Sequence, residues 1–390
     1  VFNYLYYVAA GRILGVDAYG ELSSISAAVL ALSAPASVAQ VVLARLAAEF
    51  QATRNTAALY RLARLAGRWT AGVSVAVLLV AVAARDALTG FFHAASPLPV
   101  LIGMLALALF ALTTVQRGIL QGTHRFGPLS VSFCLETGLR LAIGIPCAAR
   151  FGVSGALAGL LGGVAVSTAY NALCIRAAVR NASSTATVPL QQLRRIVTNV
   201  GLVQFMLTLL YSSYDVALVR FFLDARAAGL YAAASLAGRA VIGALAFIPI
   251  LVMPKATSAA NRNAPVYPLL AAALAMGGAI AGVAALLTAA FPARVVAALA
   301  GSAFRDAGGI AALYVPAAGL LGIGGIVAAY QIGLHRYAFV VPASLVALAQ
   351  IVAIVVWHPS PHAVASVLLA SDAAFCAATF IGIGARTKAV

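Results

Sequence analysis

Long apolar runs separated by short polar gaps recur along the whole chain. Eleven runs have approximate cores at 21–44, 69–91, 97–116, 129–149, 153–175, 197–219, 227–252, 266–291, 307–333, 338–357 and 362–385. Each is long enough to cross a bilayer as a helix, which takes about 20 residues. A shorter stretch, Val1 to Ala10, precedes them and is expected to be the outer half of a first helix whose beginning lies upstream or whose start is assigned late. The pattern predicts an all-α membrane protein of about twelve transmembrane helices, the first incomplete. Internal prolines at Pro35, Pro146, Pro249, Pro316 and Pro342 are expected to kink helices rather than end them.

The gaps alternate in charge. Even gaps and the C-terminus hold 16 of the 25 Lys and Arg residues: Arg45, Arg54, Arg61, Arg64, Arg68, Arg117, Arg125, Arg176, Arg180, Arg194, Arg195, Lys255, Arg262, Arg336, Arg386 and Lys388. The odd gaps hold 7, and two more, Arg140 and Arg239, fall inside apolar runs. Lys/Arg-rich short loops stay in the cytoplasm, so the even gaps and both termini are expected there. The longest even gaps, roughly 45–68 and 176–196, have room for amphipathic surface helices.

Composition agrees: 63% of residues are hydrophobic, 9% are charged, and the mean hydropathy is +1.03. A soluble chain of this size needs far more polar surface. The net charge of +16 follows from the loop bias and from anionic headgroups rather than from nucleic acid. Cys134, Cys147, Cys174 and Cys376 lack metal-ligand spacing and read as small buried apolar residues. His358 and His362 flank two prolines that discourage the helix a metal pair would need.

Two short motifs recur. QGTHRF (121–126) returns as IGLHRY (332–337), an offset of 211 residues, and GVDAYGEL near Tyr19 is echoed by RAAGLYAA near Tyr231. Such an offset spans six helices, an even number, so the halves share orientation about an axis along the membrane normal. The expected organisation is an N-terminal six-helix lobe over 1–180, a cytoplasmic linker over 181–196 and a C-terminal six-helix lobe over 197–390.

The segments FNYLYYVAAGRILGVDAYGEL, RGILQGTHRFGPLS (117–130) and YDVALVRFFLDARAAGLYAAASLAGRAVI (214–242) resemble the bacterial polysaccharide and O-antigen flippases. These belong to the multidrug/oligosaccharidyl-lipid/polysaccharide exporter superfamily. The resemblance covers essentially the whole chain through loose, mostly apolar motifs. It implies two lobes around a cavity with alternating access, in the bacterial inner membrane. It also implies an undecaprenyl-diphosphate-linked oligosaccharide as cargo, for polysaccharide or lipopolysaccharide assembly. Membrane lipids and other polysaccharide-assembly proteins are the partners it suggests. The runs include no thirteenth and fourteenth helices, an expectation that counts against the sister lipid II flippases.

Charges inside the runs are the candidate chemistry, since a mid-bilayer charge costs about 2.5–3.5 kcal/mol on insertion scales. Arg140 and Arg239 are the candidate diphosphate-binding residues, because the permanently charged guanidinium fork suits phosphate. Glu136 lies one turn from Arg140 and Asp215 one hairpin from Arg239; each could pair with its arginine. At an offset of 211, Arg140 maps to Ile351 and Arg239 to Ala28, so the fold does not demand either charge in both copies. Asp372 is the remaining buried acid, placed to couple a proton or to serve packing. Tyr4, Tyr6 and Tyr7 read as interfacial aromatics or as sugar-stacking groups at a cavity mouth. His124 and His335 occupy repeated positions, which favours a structural loop role.

Function narrows to transport. A lipid-linked oligosaccharide flippase leads, with no cofactor and with proton or sodium coupling left open. A cation-coupled multidrug antiporter of the same superfamily is the alternative, and would need cavity acids unmatched by arginine. A polysaccharide polymerase or ligase would need a large outer loop, and the outer gaps are short. No catalytic or metal constellation stands out in the sequence.

Overall fold

A computed structural model describes residues 2–53, 55–178, 202–262 and 265–383. Among these there is no β-strand, and the chain parts into two compact units. The first unit comprises 1–14 with 21–217, and the second comprises 15–20 with 218–390. Leu202–Ala217 thus belongs to the first unit, while the expected linker 181–196 lies outside the described residues.

The first unit is built from α1 (Phe2–Leu32), α2 (Ala34–Ala52), α3 (Thr56–Ala83), α4 (Arg85–Phe91), α5 (Pro97–Gly122), α6 (Phe126–Ala178) and α7 (Leu202–Tyr211). Helix α8 (Tyr214–Phe222) follows after a bend of 52°. The second unit continues with α9 (Ala225–Leu245), α10 (Phe247–Asn261), α11 (Tyr267–Ala290), α12 (Pro292–Ala300), α13 (Gly308–Gly333), α14 (Val340–Val356) and α15 (Pro361–Thr379). Among the described residues eight helices are long and apolar enough to cross a membrane, or nine if the bent α7–α8 pair is one span.

Three sequence boundaries are corrected. The gap expected after residue 10 is helical and breaks at one residue, Gly15, with φ 75°. The gap between the runs at 129–149 and 153–175 is likewise reduced to Gly152, with φ 59°, inside the 53-residue α6. Only glycine takes such positive φ without a steric penalty, so a one-residue break replaces a loop at both places. The third span begins at Thr56 rather than 69, because the arginine-bearing stretch before it continues the same helix.

After Gly152, α6 runs back along itself. A Cβ on Gly155 would strike the carbonyl of Cys147, one on Gly159 the backbone of Gly144, and one on Gly163 the carbonyl of Glu136. The partners recede as the glycines advance, which is antiparallel packing. Small residues every fourth position let the two backbones touch, as helices in lipid require.

The duplication is explicit in the helix ends. Helix α5 runs Pro97–Gly122 and α13 runs Gly308–Gly333, both ends displaced by 211 residues. Helices α3 and α11 start at Thr56 and Tyr267, the same displacement. The apolar cores follow suit. Leu59, Leu62, Val115 and Ile119 of one cluster correspond to Leu270, Ala273, Ile326 and Tyr330 of the other.

The repeated motif is a helix stop. His124 and His335 both sit at φ 55°. The next amide donates back to the Leu120 carbonyl in the first copy and to that of Gln331 in the second. This left-handed closure satisfies the terminal carbonyls of α5 and α13. Arg125 Nη1 then donates to the Cys174 carbonyl at 3.5 Å, and Arg336 Nη1 donates to that of Ile383. Cations at carbonyl ends are favourable in both copies.

Candidate functional site

The first unit buries two arginines by different means. Arg140, on the first arm of α6, is 7% exposed. Its Nη1 donates to Asn3 Oδ1 at 2.9 Å and its Nη2 to the Tyr7 hydroxyl at 2.9 Å. The guanidinium carbon lies 4.3 Å from the Tyr6 ring centre and 4.8 Å from that of Tyr7. The Tyr6 hydroxyl in turn donates to the Ala156 carbonyl on the returning arm of α6 at 2.9 Å. Every partner of Arg140 is formally neutral, and its Nε makes no hydrogen bond. No carboxylate pairs with it among the described residues. Two rings and two acceptors hold a guanidinium whose charge is left uncancelled, an arrangement that desolvation makes attractive to an anion.

Glu136 does not serve Arg140, although the i,i+4 spacing put both on one helix face. Its Oε2 forms an ion pair with Arg117 Nη2 of α5 at 2.7 Å. Arg117 also donates from Nε to Ser132 Oγ at 2.9 Å, and from Nη2 to the Ser132 carbonyl at 3.0 Å and to Ser167 Oγ at 3.3 Å. Its guanidinium lies 3.9 Å over the Phe133 ring. The sequence placed Arg117 in a cytoplasmic gap, but it is a 3% exposed residue inside α5. It reaches Glu136 because α5 and α6 pack along their length, while Arg140 turns to the tyrosines.

The repeat shows what this network replaces. At an offset of 211, Arg117, Ser132, Glu136 and Ser167 correspond to Ala328, Ala343, Ala347 and Ala378, all of them buried. The same helix positions therefore pack with four methyl groups in the second unit. The fold does not call for the polar cluster; the first unit carries it for another reason. Sequence reasoning missed Arg117, Ser132 and Ser167, though the 211-residue register would have exposed all three.

Tyr6 and Tyr7 were expected at an interface or cavity mouth. Tyr6 is 0% exposed and Tyr7 6%, because their rings are spent on Arg140. Tyr4 is half-buried, with its hydroxyl shut off and without a hydrogen bond. Asn3, which accepts from Arg140 Nη1, is exposed. Asp215 is buried in the first unit, whereas Arg239 is half-buried on α9 of the second. Asp372 on α15 is 3% exposed, and its Oδ1 accepts from Gln350 Nε2 of α14 at 3.1 Å.

Searches with family models and against curated proteins return no match. Solved structures do match. An inward-facing multidrug-resistance MATE transporter of the MOP superfamily superposes with a TM-score of 0.80 at 14% identity, over 97% of this chain and 92% of that one. The lipid II flippase MurJ, in an inward closed conformation, gives 0.72 at 13% identity over 98% and 85%. A MATE crystal structure in the bent conformation gives 0.63 at 14% identity over 97% and 90%. The fold is that of the MATE and MurJ transporters. With its apolar helices, that fold makes the chain a multi-pass membrane protein.

Proposed function

We propose that this protein flips an undecaprenyl-diphosphate-linked oligosaccharide from the cytoplasmic to the outer leaflet of the inner membrane. The observation that carries the reading is Arg140: buried, held by neutral groups, unpaired with any acid among the described residues. A diphosphate approaching past Asn3 meets a preformed cation, and the forked guanidinium can exchange its amide and phenol partners for phosphate oxygens. Arg239 is the candidate cation of the second unit, on residue type and position along α9. Moving about two negative charges outward is favoured by roughly 2.3 kcal/mol per charge per 100 mV of inside-negative potential. Asp372 is the candidate coupling group.

A lipid II flippase is among the structural neighbours, which supports a lipid-linked cargo. The rival reading is a cation-coupled multidrug antiporter, favoured by the 0.80 superposition on a MATE transporter. Organic cations would need a free buried acid, and Glu136 is already taken by Arg117.

Deletion followed by leaflet-resolved analysis of lipid-linked sugars decides between them. Build-up on the cytoplasmic leaflet, restored by the native chain but not by Arg140→Ala, supports the flippase. Drug hypersensitivity with normal glycan supports the antiporter and overturns this proposal.

A further inference from the structure

The first unit contains a second cationic feature that the cargo reading leaves unused. A cavity of about 450 Å³ lies between α3, α5 and the last turns of α6. Leu112 and Ile119 belong to its apolar wall, and Arg64, Arg68 and Arg176 surround it. The three arginines are exposed. None of them makes an ion pair or a hydrogen bond with a described residue. Gln116 also lines the cavity, and its Oε1 is a buried acceptor with no hydrogen bond.

Depth in the membrane can be read from α3. Exposed residues change along the helix from Arg61, Arg64 and Arg68 to Val73, Val75, Leu79 and Val80. Trp69, 70% exposed, stands at the changeover. Indole rings favour the headgroup level, so the cavity sits where lipid phosphates meet the hydrocarbon.

An orientation bias alone does not explain the cluster. The equivalent helix α11 has the same place in the repeat, yet Arg64 and Arg68 correspond to Ala275 and Ala279, and α11 carries no charge. Gln116 likewise corresponds to Val327.

We propose that this cavity binds the headgroup of an anionic phospholipid carrying a free hydroxyl, of the phosphatidylglycerol type. The phosphodiester takes the arginines, whose forks match phosphate oxygens. A headgroup hydroxyl donates to Gln116 Oε1, and the apolar wall receives the start of an acyl chain. A choline headgroup has no donor for Gln116 and is repelled by the three cations. The site is independent of the cargo reading, since it uses neither Arg140 nor Arg239.

Full-length protein in nanodiscs tests this by native mass spectrometry of retained lipid, with phosphatidylcholine alone or mixed with phosphatidylglycerol. The native chain is expected to retain phosphatidylglycerol selectively. Arg64→Gln with Arg68→Gln should weaken retention by about an order of magnitude or more, because two charge-assisted contacts to the phosphodiester are lost. Arg61→Gln, on the same helix but off the cavity, should leave it unchanged. Gln116→Leu should lower the preference for phosphatidylglycerol over phosphatidic acid, which lacks the hydroxyl. Equal retention of phosphatidylcholine, or equal loss with Arg61→Gln, overturns the proposal. Protection of the native chain against heat by glycerol 3-phosphate alone, matching that by the lipid, also overturns it in favour of a soluble-phosphate site. The substituted arginines are exposed, so unchanged melting without added lipid shows that the variants remain folded.

Discussion

Arg117 and Glu136 form a 2.7 Å ion pair between α5 and α6, at positions where the second copy of the repeat places Ala328 and Ala347. One backbone framework thus tolerates either a buried charge pair with two serines or four alanines. Replacing one partner leaves the other buried and uncompensated, which typically costs about 3–5 kcal/mol.

The expected outcome is that Arg117→Ala and Glu136→Ala each lower the stability of the detergent-solubilised protein severely. The double variant should lose less than the sum of the two, by about 2 kcal/mol or more, because no orphaned charge remains. Denaturant midpoints for the four-member cycle check this. Strict additivity would show that the pair is not coupled.

Tyr7 accepts from Arg140 Nη2, while the Tyr6 hydroxyl donates to the Ala156 carbonyl and its ring centre lies 4.3 Å from the guanidinium. Tyr7→Phe should cost about 1–3 kcal/mol, since it strips a buried donor of its acceptor. Arg140→Lys retains the charge but loses the fork, and should reduce flipping even where the protein accumulates normally. Reconstituted vesicles with a labelled lipid-diphosphate, assayed at matched protein levels, separate the two effects. Equal flipping by the native protein and Arg140→Lys would sink the phosphate role.

Gly159 is fixed by the close approach of the two arms of α6, where any Cβ meets the backbone of Gly144. Gly159→Ala should destabilise by about 1–3 kcal/mol through overpacking. Gly138, on the same helix with open space around it, is the control. Gly138→Ala should be neutral or stabilising by about 0.5–1 kcal/mol, from helix propensity. Comparable losses at both positions in a thermal scan would refute the packing argument.

His124 and His335 hold the same left-handed backbone. Substituting glycine at either should raise stability by up to about 1–2 kcal/mol, because L-residues carry that penalty in the left-handed region. Valine should lower it. Arg125→Ala and Arg336→Ala should each lower stability through loss of the contact to a helix-end carbonyl. Melting curves of the paired variants check whether the two copies respond alike. A loss of flipping with unchanged melting would point to proton relay instead.

Much of this fold was legible beforehand because bilayer crossing imposes a length and a hydropathy that local sequence states directly. The eleven runs and the 211-residue repeat needed only counting, and α5 and α13 bear the repeat out to the residue. Boundaries failed where conformation outranked composition. Gly15 and Gly152 look like ordinary small residues, but each takes a positive φ and does the work of a loop. Arg117 looked like a loop cation because charge near a run's end reads as its edge, and hydropathy is blind to a carboxylate on the next helix.

The sequence by itself determined the all-helical, multiply spanning character, the 211-residue repeat and the presence of Arg140 and Arg239 within apolar runs, since each follows from one-dimensional pattern. Tertiary structure alone decided partners. Glu136 went to Arg117 rather than to its own helix neighbour Arg140, and Tyr6 and Tyr7 went inward to Arg140 rather than outward to an interface. The physical reason is that pairing inside a low-dielectric bundle depends on which helix faces meet within a few ångströms, and spacing along one helix cannot state what the neighbouring helix brings.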